Sequence, residues 1–158
     1  MARLPDGRFL VLSEEAHLPP RYWRGSDAAR LRTREGLIFA GDPVGTSVPG
    51  HFAYVVEGRY DVSDATALPN GDLLVLERAF HLPYRFSTIV SRVAAADVRD
   101  GGVARPVRVA MLESPLIHDN FEGITTTREG GATMLWLVSD DNQSVLQQTL
   151  LLKFRLDR

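Results

Sequence analysis

Hydrophobic and polar positions alternate over short segments along most of the chain, and turn-forming residues separate these segments. The segments are rich in β-branched and aromatic residues and are bounded by Gly, Pro and Asp, which is typical of β-strands. They are Ser63–Leu68, Asp72–Glu77, Phe86–Val93, Val107–Glu113, Gly123–Thr127, Thr133–Ser139 and Gln147–Leu156. Helical periodicity is poor, and its best instance, Ser26–Glu35, predicts a short helix in a loop. The pattern therefore predicts an all-β fold.

One pattern recurs along the chain at a nearly constant interval. A tight Pro-Asp-Gly or Pro-Asn-Gly turn precedes an apolar strand in the first two copies, and a similar strand lies in the third. Leu12, Leu76 and Val138 align with spacings of 64 and 62 residues. The tripeptides that begin at His17 and His81 keep the 64-residue spacing. This regularity indicates two and a half to three copies of one structural unit.

Four short strands in a repeat of this length are typical of a β-propeller blade of four antiparallel strands. The second copy contains four strand candidates, whereas the first has a stub before its second strand and the last ends after its third. We predict a partial propeller that forms one domain, with repeat units of approximately 1–60, 61–118 and 119–158. Propellers have about four to eight blades. We therefore expect missing blades of a longer chain, or a second copy, to close the ring.

Composition narrows the function classes. Eighteen Lys and Arg residues against twenty Asp and Glu residues give a formal net charge of −2, so no overall positive field recruits nucleic acid. No segment approaches the roughly 18 apolar residues of a membrane span. The chain has no cysteine, which excludes disulfides, thiolate metal sites and a cysteine nucleophile. Common nucleotide, zinc and serine-hydrolase motifs are missing as well, and spacing alone assigns no Ser/His/Asp arrangement that would support an acyl-enzyme.

The blade model assigns the loops to two faces, because successive strands of a blade run in opposite directions. One face collects most of the chemically interesting segments, and functional residues usually lie on loops that a rigid scaffold positions. These segments are Glu14–His17, Glu57–Asp61, Glu77–His81, His118–Glu122 and Asp140–Asn142. We predict that this face carries the functional site.

An acidic cluster is predicted at the last blade. Asp140, Asp141 and Asn142 follow an apolar strand, while Asp119 and Glu122 precede the neighbouring strand. Oxygen ligands of this kind suit Ca²⁺ better than Zn²⁺, which prefers nitrogen and sulfur. The alternative is that the Asp and Asn side chains cap turns through hydrogen bonds to the backbone. The sequence leaves both interpretations open.

Basic residues on the same face are candidates for binding an anion. Arg78, Arg85 and His81 are predicted to bind substrate, because guanidinium groups make bidentate, charge-assisted hydrogen bonds. The alternative is that Arg78 forms a surface ion pair with Glu77, as Arg59 would with Glu57, and that His81, like its repeat equivalent His17, is a structural loop residue. His118 has no repeat counterpart and is the candidate for acid–base catalysis.

Four segments carry a family resemblance: Leu68–Arg78, Asp119–Ile124, Trp136–Asn142 and Gln148–Phe154. From about Phe52 onward they resemble the C-terminal half of bacterial phytase-like β-propeller proteins that are described as having esterase-like activity. The resemblance implies a hydrolase that acts on phosphate or other anionic esters and that is periplasmic or secreted.

The resemblance also implies a metal. The related β-propeller phytases use Ca²⁺ to hold substrate phosphates and to activate water. It implies metal ligation by Asp119, Asp140, Asp141 and Asn142, and we take His118 and Glu122 as the catalytic candidates. Two other functions stay open. One is a non-catalytic propeller that binds a protein or cell-envelope ligand, and the other is a lactonase-like metal-dependent propeller enzyme.

Overall fold

The computed structural model describes residues 1–45, 48–83 and 85–157, and its architecture is all-β. The strands form three sheets, none of them closed, which we name A, B and C in chain order. Helix in the described residues is confined to α1 (Asp27–Arg30) and to two 3₁₀ turns, Pro20–Tyr22 and Ala95–Asp97. No helix within these residues is long and apolar enough to cross a membrane.

Strands that follow one another in the chain are antiparallel neighbours within each sheet, with one exception. Sheet A has the order β1 (Ala2–Arg3), β2 (Phe9–Leu12), β3 (Thr33–Phe39), β4 (Gly50–Val55) and β8 (Val103–Ala104). Sheet B has the order β5 (Asp61–Ala67), β6 (Leu73–His81), β7 (Arg85–Val93) and β9 (Val107–Leu112). Sheet C has the order β10 (Phe121–Glu129), β11 (Ala132–Ser139) and β12 (Leu151–Leu156). The exception is β8, which lies between β7 and β9 in the chain but pairs in parallel with β4.

The prediction of an all-β fold is confirmed, and each of the seven predicted strands overlaps an observed one. The predicted helix Ser26–Glu35 is wrong beyond its first turn. Ser26 does cap it, accepting a hydrogen bond from the Ala29 N–H, but the chain enters β3 at Thr33. Pairing of β3 with both β2 and β4 outweighs the weak local preference for helix. The division into repeat units stays a prediction.

Strand β6 is buried on both faces and joins the two hydrophobic cores of the molecule. Leu73 and Val75 belong to the core shared with sheet A, while Leu74 and Leu76 belong to the core shared with sheet C. Successive side chains of a strand point to opposite faces, so a strand covered on both sides needs a continuous apolar run. Sheet B therefore lies between sheets A and C.

Glu77 interrupts this apolar run and is fully buried. The Ser91 hydroxyl donates a hydrogen bond to its Oε2 at 2.5 Å. The Tyr54 hydroxyl lies close enough to Glu77 to interact electrostatically, yet among the described residues neither this hydroxyl nor Glu77 Oε1 has a partner with regular hydrogen-bond geometry. Burial raises the pKa of Glu77 above its usual 4.5, which the hydrogen bond from Ser91 partly offsets. Burial favours a protonated Glu77.

The raised pKa predicts how stability depends on pH. Because the folded-state pKa lies above the unfolded value, Glu77 contributes stability that is present below about pH 4.5 and is lost as the pH rises through the folded pKa. We expect Glu77→Gln to gain free energy of unfolding relative to wild type over this window, by about 1.4 kcal/mol per pH unit at most. Urea denaturation from pH 4 to pH 8 measures this difference.

The matched control for this measurement is Glu15→Gln, since Glu15 is exposed. Its difference from wild type is expected to stay constant with pH. A constant difference for Glu77→Gln as well would contradict the raised pKa.

Candidate functional site

Arg78 connects all three sheets at one end of the molecule. Its Nη1 donates to Glu122 Oε1 at 3.0 Å and to Asn120 Oδ1, at the start of sheet C. Its Nη2 donates to Glu14 Oε1 at 3.3 Å, in the loop that follows β2 of sheet A. These charge-assisted bonds occupy both terminal nitrogens of the guanidinium group. They favour a structural role for Arg78 and Glu122, whose predicted roles in substrate binding and catalysis stay predictions.

Asp119 fixes the chain where it enters sheet C. This residue is 9% exposed. Its Oδ1 accepts a hydrogen bond from the Asn120 N–H at 2.8 Å, and its Oδ2 accepts one from the Gln148 N–H at 2.9 Å. Both carboxylate oxygens therefore satisfy backbone donors, and one of these bonds joins the segment before β12 to the segment before β10.

Asp140 and Asp141 also bind the backbone, in the turn that follows β11. Asp140 Oδ1 accepts from the Asn142 N–H at 3.0 Å, and Asp141 Oδ1 accepts from the Gln143 N–H at 2.8 Å. Asn142 and Gln143 have φ angles of 48° and 57°, in the left-handed region where Asn is tolerated better than most residues. Asp141 Oδ2 also accepts from the Thr149 hydroxyl. These bonds are those of turn-capping side chains.

The carboxylate oxygens at this end of the molecule do not form a Ca²⁺ site in the arrangement observed. Calcium takes six to eight oxygen ligands, whereas Asp119, Asp140 and Asp141 each direct at least one oxygen to a backbone N–H. Within residues 1–45, 48–83 and 85–157, no three acidic or histidine side chains form a group that could hold a metal ion. Calcium binding stays a prediction of the sequence pattern.

A cavity of about 130 Å³ lies at the end of the hairpin formed by β6 and β7. The loop that follows β9 supplies its other wall. The cavity brings together three residues that the sequence predicted for the site, two as substrate ligands and one as a catalyst. Its lining residues are His81, Arg85, Phe86, Ser87, Glu113, Ser114 and His118.

His81 and Ser87 form a hydrogen-bonded pair at this cavity. In the register of the hairpin, Ala79 lies opposite Ser87 and His81 lies opposite Arg85, so His81 and Ser87 are diagonal neighbours on one face. His81 Nε2 is 2.9 Å from Ser87 Oγ. The Tyr60 hydroxyl is also 2.9 Å from that oxygen. Ser87 is 3% exposed.

The ring of His118 is oriented by the backbone. Its Nδ1 is 2.8 Å from the Leu116 carbonyl oxygen. Since a carbonyl oxygen only accepts hydrogen bonds, Nδ1 carries a proton, and Nε2 of the neutral ring is free to accept one. This tautomer gives the cavity a proton acceptor.

Arg85 differs from Arg78 in its contacts. Its side chain is exposed and, among the described residues, makes no hydrogen bond or ion pair. It lies opposite His81 in the hairpin. Its guanidinium group is therefore available to an anion that enters the cavity.

Sequence reasoning missed Ser87 and Tyr60. The signal that reveals Ser87 is the hairpin register, which places it diagonally across from His81 once the turn between β6 and β7 is fixed. The repeat equivalence of His17 and His81 pointed away from this pair. His17 Nδ1 donates to the Thr33 carbonyl oxygen at 2.8 Å, a structural bond that His81 does not share.

Turn capping by the acidic residues makes a prediction about stability. Asp119→Ala deprives two backbone N–H groups of their acceptor, and we expect it to lower the free energy of unfolding by about 1–3 kcal/mol. Urea denaturation measures the loss, and Asp157→Ala, at an exposed position, is the control. An Asp119→Ala variant as stable as that control would contradict the capping role.

Calcium provides the complementary measurement. After treatment with a chelator, we expect Ca²⁺ to change the Tm of wild type and of the Asp140→Ala/Asp141→Ala double variant equally. A saturable rise that only wild type shows would instead establish the calcium site, because a ligand of the folded state raises Tm.

Comparison with known proteins assigns the chain to a family. The family described as "Phytase-like: Esterase-like activity of phytase" matches residues 1–143. The match covers the residues before Phe52, where the resemblance rested only on the repeat, and stops before Gln148–Phe154. No curated protein and no solved structure matches the chain. The chain therefore belongs to the phytase-like family, and this membership indicates a hydrolase with esterase-like function.

Proposed function

We propose that this protein hydrolyses esters that carry a negative charge, and that the reaction takes place in the cavity at the end of the β6–β7 hairpin. The observation that carries this proposal is the lining of the cavity, where Arg85, whose side chain has no partner among the described residues, lies with His81 and His118. Membership of the phytase-like family supports the reaction class. The arrangement combines a group that binds anions with groups that transfer protons.

Each of these side chains has a role that follows from its chemistry. Arg85 binds the anionic part of the substrate through paired hydrogen bonds from its planar guanidinium group. His118 accepts a proton at Nε2, since its Nδ1–H is held by the Leu116 carbonyl oxygen. His81 acts on the substrate through the Ser87 hydroxyl, to which its Nε2 is hydrogen-bonded. Substrates with a phosphate or a carboxylate group meet the requirement for charge.

Metal-activated water is the alternative route to hydrolysis. It requires Asp119, Asp140 and Asp141 to turn from their capping bonds toward an ion and Asn142 to join them, and the calcium titration described above tests it. A lactonase-like enzyme depends on a metal in the same way. In a non-catalytic binding module the aspartates would cap turns as well. The absence of ester hydrolysis distinguishes such a module from the proposed enzyme.

A β-propeller is the fold that we propose for the whole assembly. Support comes from sheets whose antiparallel strands follow chain order and from the packing of sheet B between its neighbours. On this proposal, sheets A, B and C are successive blades, and further blades or a second copy close the ring. A periplasmic or secreted location belongs to the same proposal.

Charge selectivity tests the function. We expect Arg85→Gln to raise KM for mono-p-nitrophenyl succinate about 10-fold to 100-fold, because hydrogen bonds to charged groups are worth about 1.5–3 kcal/mol. The KM for the neutral p-nitrophenyl acetate is expected to stay within a factor of two or so, since this ester offers no charge to Arg85. Release of p-nitrophenol measures both rates.

The matched control is Arg105→Gln, which removes an exposed arginine outside the cavity. Its kinetics are expected to match wild type with both esters. Absence of hydrolysis in wild type, or an equal effect of Arg85→Gln on both esters, would contradict the proposal.

A further inference from the structure

We infer that Ser87 is the nucleophile of the ester hydrolysis proposed above, with His81 as its general base and Tyr60 as a hydrogen-bond donor to the attacking oxygen. The inference rests on the proposed function and adds to it a covalent acyl-serine intermediate. It is carried by a hydrogen-bonded pair of residues in the cavity wall, Ser87 Oγ with His81 Nε2, and by the Tyr60 hydroxyl, which bonds to the same serine oxygen.

The tautomer of His81 decides the direction of these bonds. A serine hydroxyl has one proton to donate and can accept from other groups. With His81 neutral and Nε2 unprotonated, Ser87 donates to His81, and Tyr60 donates to Ser87. This arrangement is the one a nucleophile requires, because the base is already bonded to the proton that it will remove.

The surroundings of Ser87 separate it from the other hydroxyl groups. Within the part of the chain that the structure describes, Ser87 is the only hydroxyl bonded to a histidine nitrogen. Ser139, which lies beside the acidic turn, instead donates to the Gln148 carbonyl and accepts from the Leu150 N–H. Ser91 is occupied by the buried Glu77. Ser87 alone combines a base with an adjoining cavity.

The two members of the pair differ in burial. Ser87 is 3% exposed and lies in the wall of a cavity of about 130 Å³, whereas His81 is exposed. At the buried Ser87 end of the bond, a hydrogen bond is electrostatically stronger than in bulk water. The Tyr60 hydroxyl, bonded to the same oxygen, stabilises the negative charge that develops on Oγ as its proton leaves.

The reaction balances in two steps. Ser87 Oγ bonds to the ester carbonyl carbon while its proton passes to His81 Nε2. The bond between that carbon and the alcohol oxygen then breaks, and His81 returns the proton to the leaving alcohol. In the second step water attacks the acyl-serine, His81 takes a proton from the water, and the proton passes back to Ser87 Oγ as the carboxylic acid leaves.

A fluorophosphonate probe tests the inference, because it bonds covalently to an activated serine hydroxyl. We expect intact-mass and peptide analysis to find one probe per wild-type chain, on Ser87. Ser87→Ala is expected to abolish labelling, and His81→Gln to slow it by about 10²-fold to 10⁴-fold. Ser144→Ala is the matched control and is expected to label like wild type, because the Ser144 hydroxyl accepts only from the Leu146 N–H.

Ser87→Cys keeps the test decisive if the alanine variant fails to fold. A nucleophilic cysteine at this position is expected to lose fluorophosphonate labelling and to react with iodoacetamide, at a rate that falls when His81→Gln is added. Circular dichroism and the urea midpoint establish that each variant is folded.

The outcomes separate this inference from the proposed function. Two results together would overturn Ser87 as the nucleophile and leave the proposed hydrolase in place. These are ester hydrolysis by Ser87→Ala at the wild-type kcat, and no label on Ser87 in the wild-type protein. Labelling at Ser87 in a protein that hydrolyses no anionic ester would support the nucleophile and overturn the proposed substrate class. A label on a different serine would overturn the inference directly.

Discussion

The burial of β6 on both faces is the constraint on which the rest of the structure depends. Its side chains enter two cores at once, so the strand fixes sheet A on one side of sheet B and sheet C on the other. Strand alternation continues past the apolar part. Arg78 points to the face of β6 that looks toward sheet C, where it bonds to Asn120 and Glu122. Glu77 and His81 occupy alternate positions of the strand, on its other face. One strand thereby positions two polar centres, which are the contacts of Arg78 and the cavity lined by His81.

That alternation explains how the two centres differ. Arg78 bonds to Glu14, Asn120 and Glu122 through both of its terminal nitrogens, so this centre holds sheets together. At the cavity, the Arg85 side chain has no partner within the part of the chain that the structure describes, and a serine bonds to a histidine. Structural centres satisfy their polar groups internally, whereas a binding site keeps capacity for a ligand. The cavity is therefore the centre at which we propose ester hydrolysis, with Ser87 as its nucleophile.

Sequence patterns predicted the strands of sheets B and C well, since turn residues bound them clearly. They missed β3 and β4. Ser26–Glu35 has a good helix start, but sheet pairing, a long-range effect, decides the structure beyond Arg30 and places β3 there. The face that carries the functional site stays a prediction of the sequence. Arg78 and His81 looked like one anion site because their separation onto opposite faces depends on strand parity. The Ser87 pair depends on hairpin register, and loop spacing does not reveal register.

The most direct test of this account is the location of a bound substrate analogue. A non-hydrolysable phosphonate that carries a second negative charge is titrated into the ¹⁵N-labelled protein, and backbone amide shifts are followed by NMR. The account predicts saturable shifts centred on Ser87, Glu113 and His118, which line the cavity. Shifts centred instead on Asn120 and Asp140, with the cavity amides unchanged, would place the ligand at the acidic end of sheet C and contradict it.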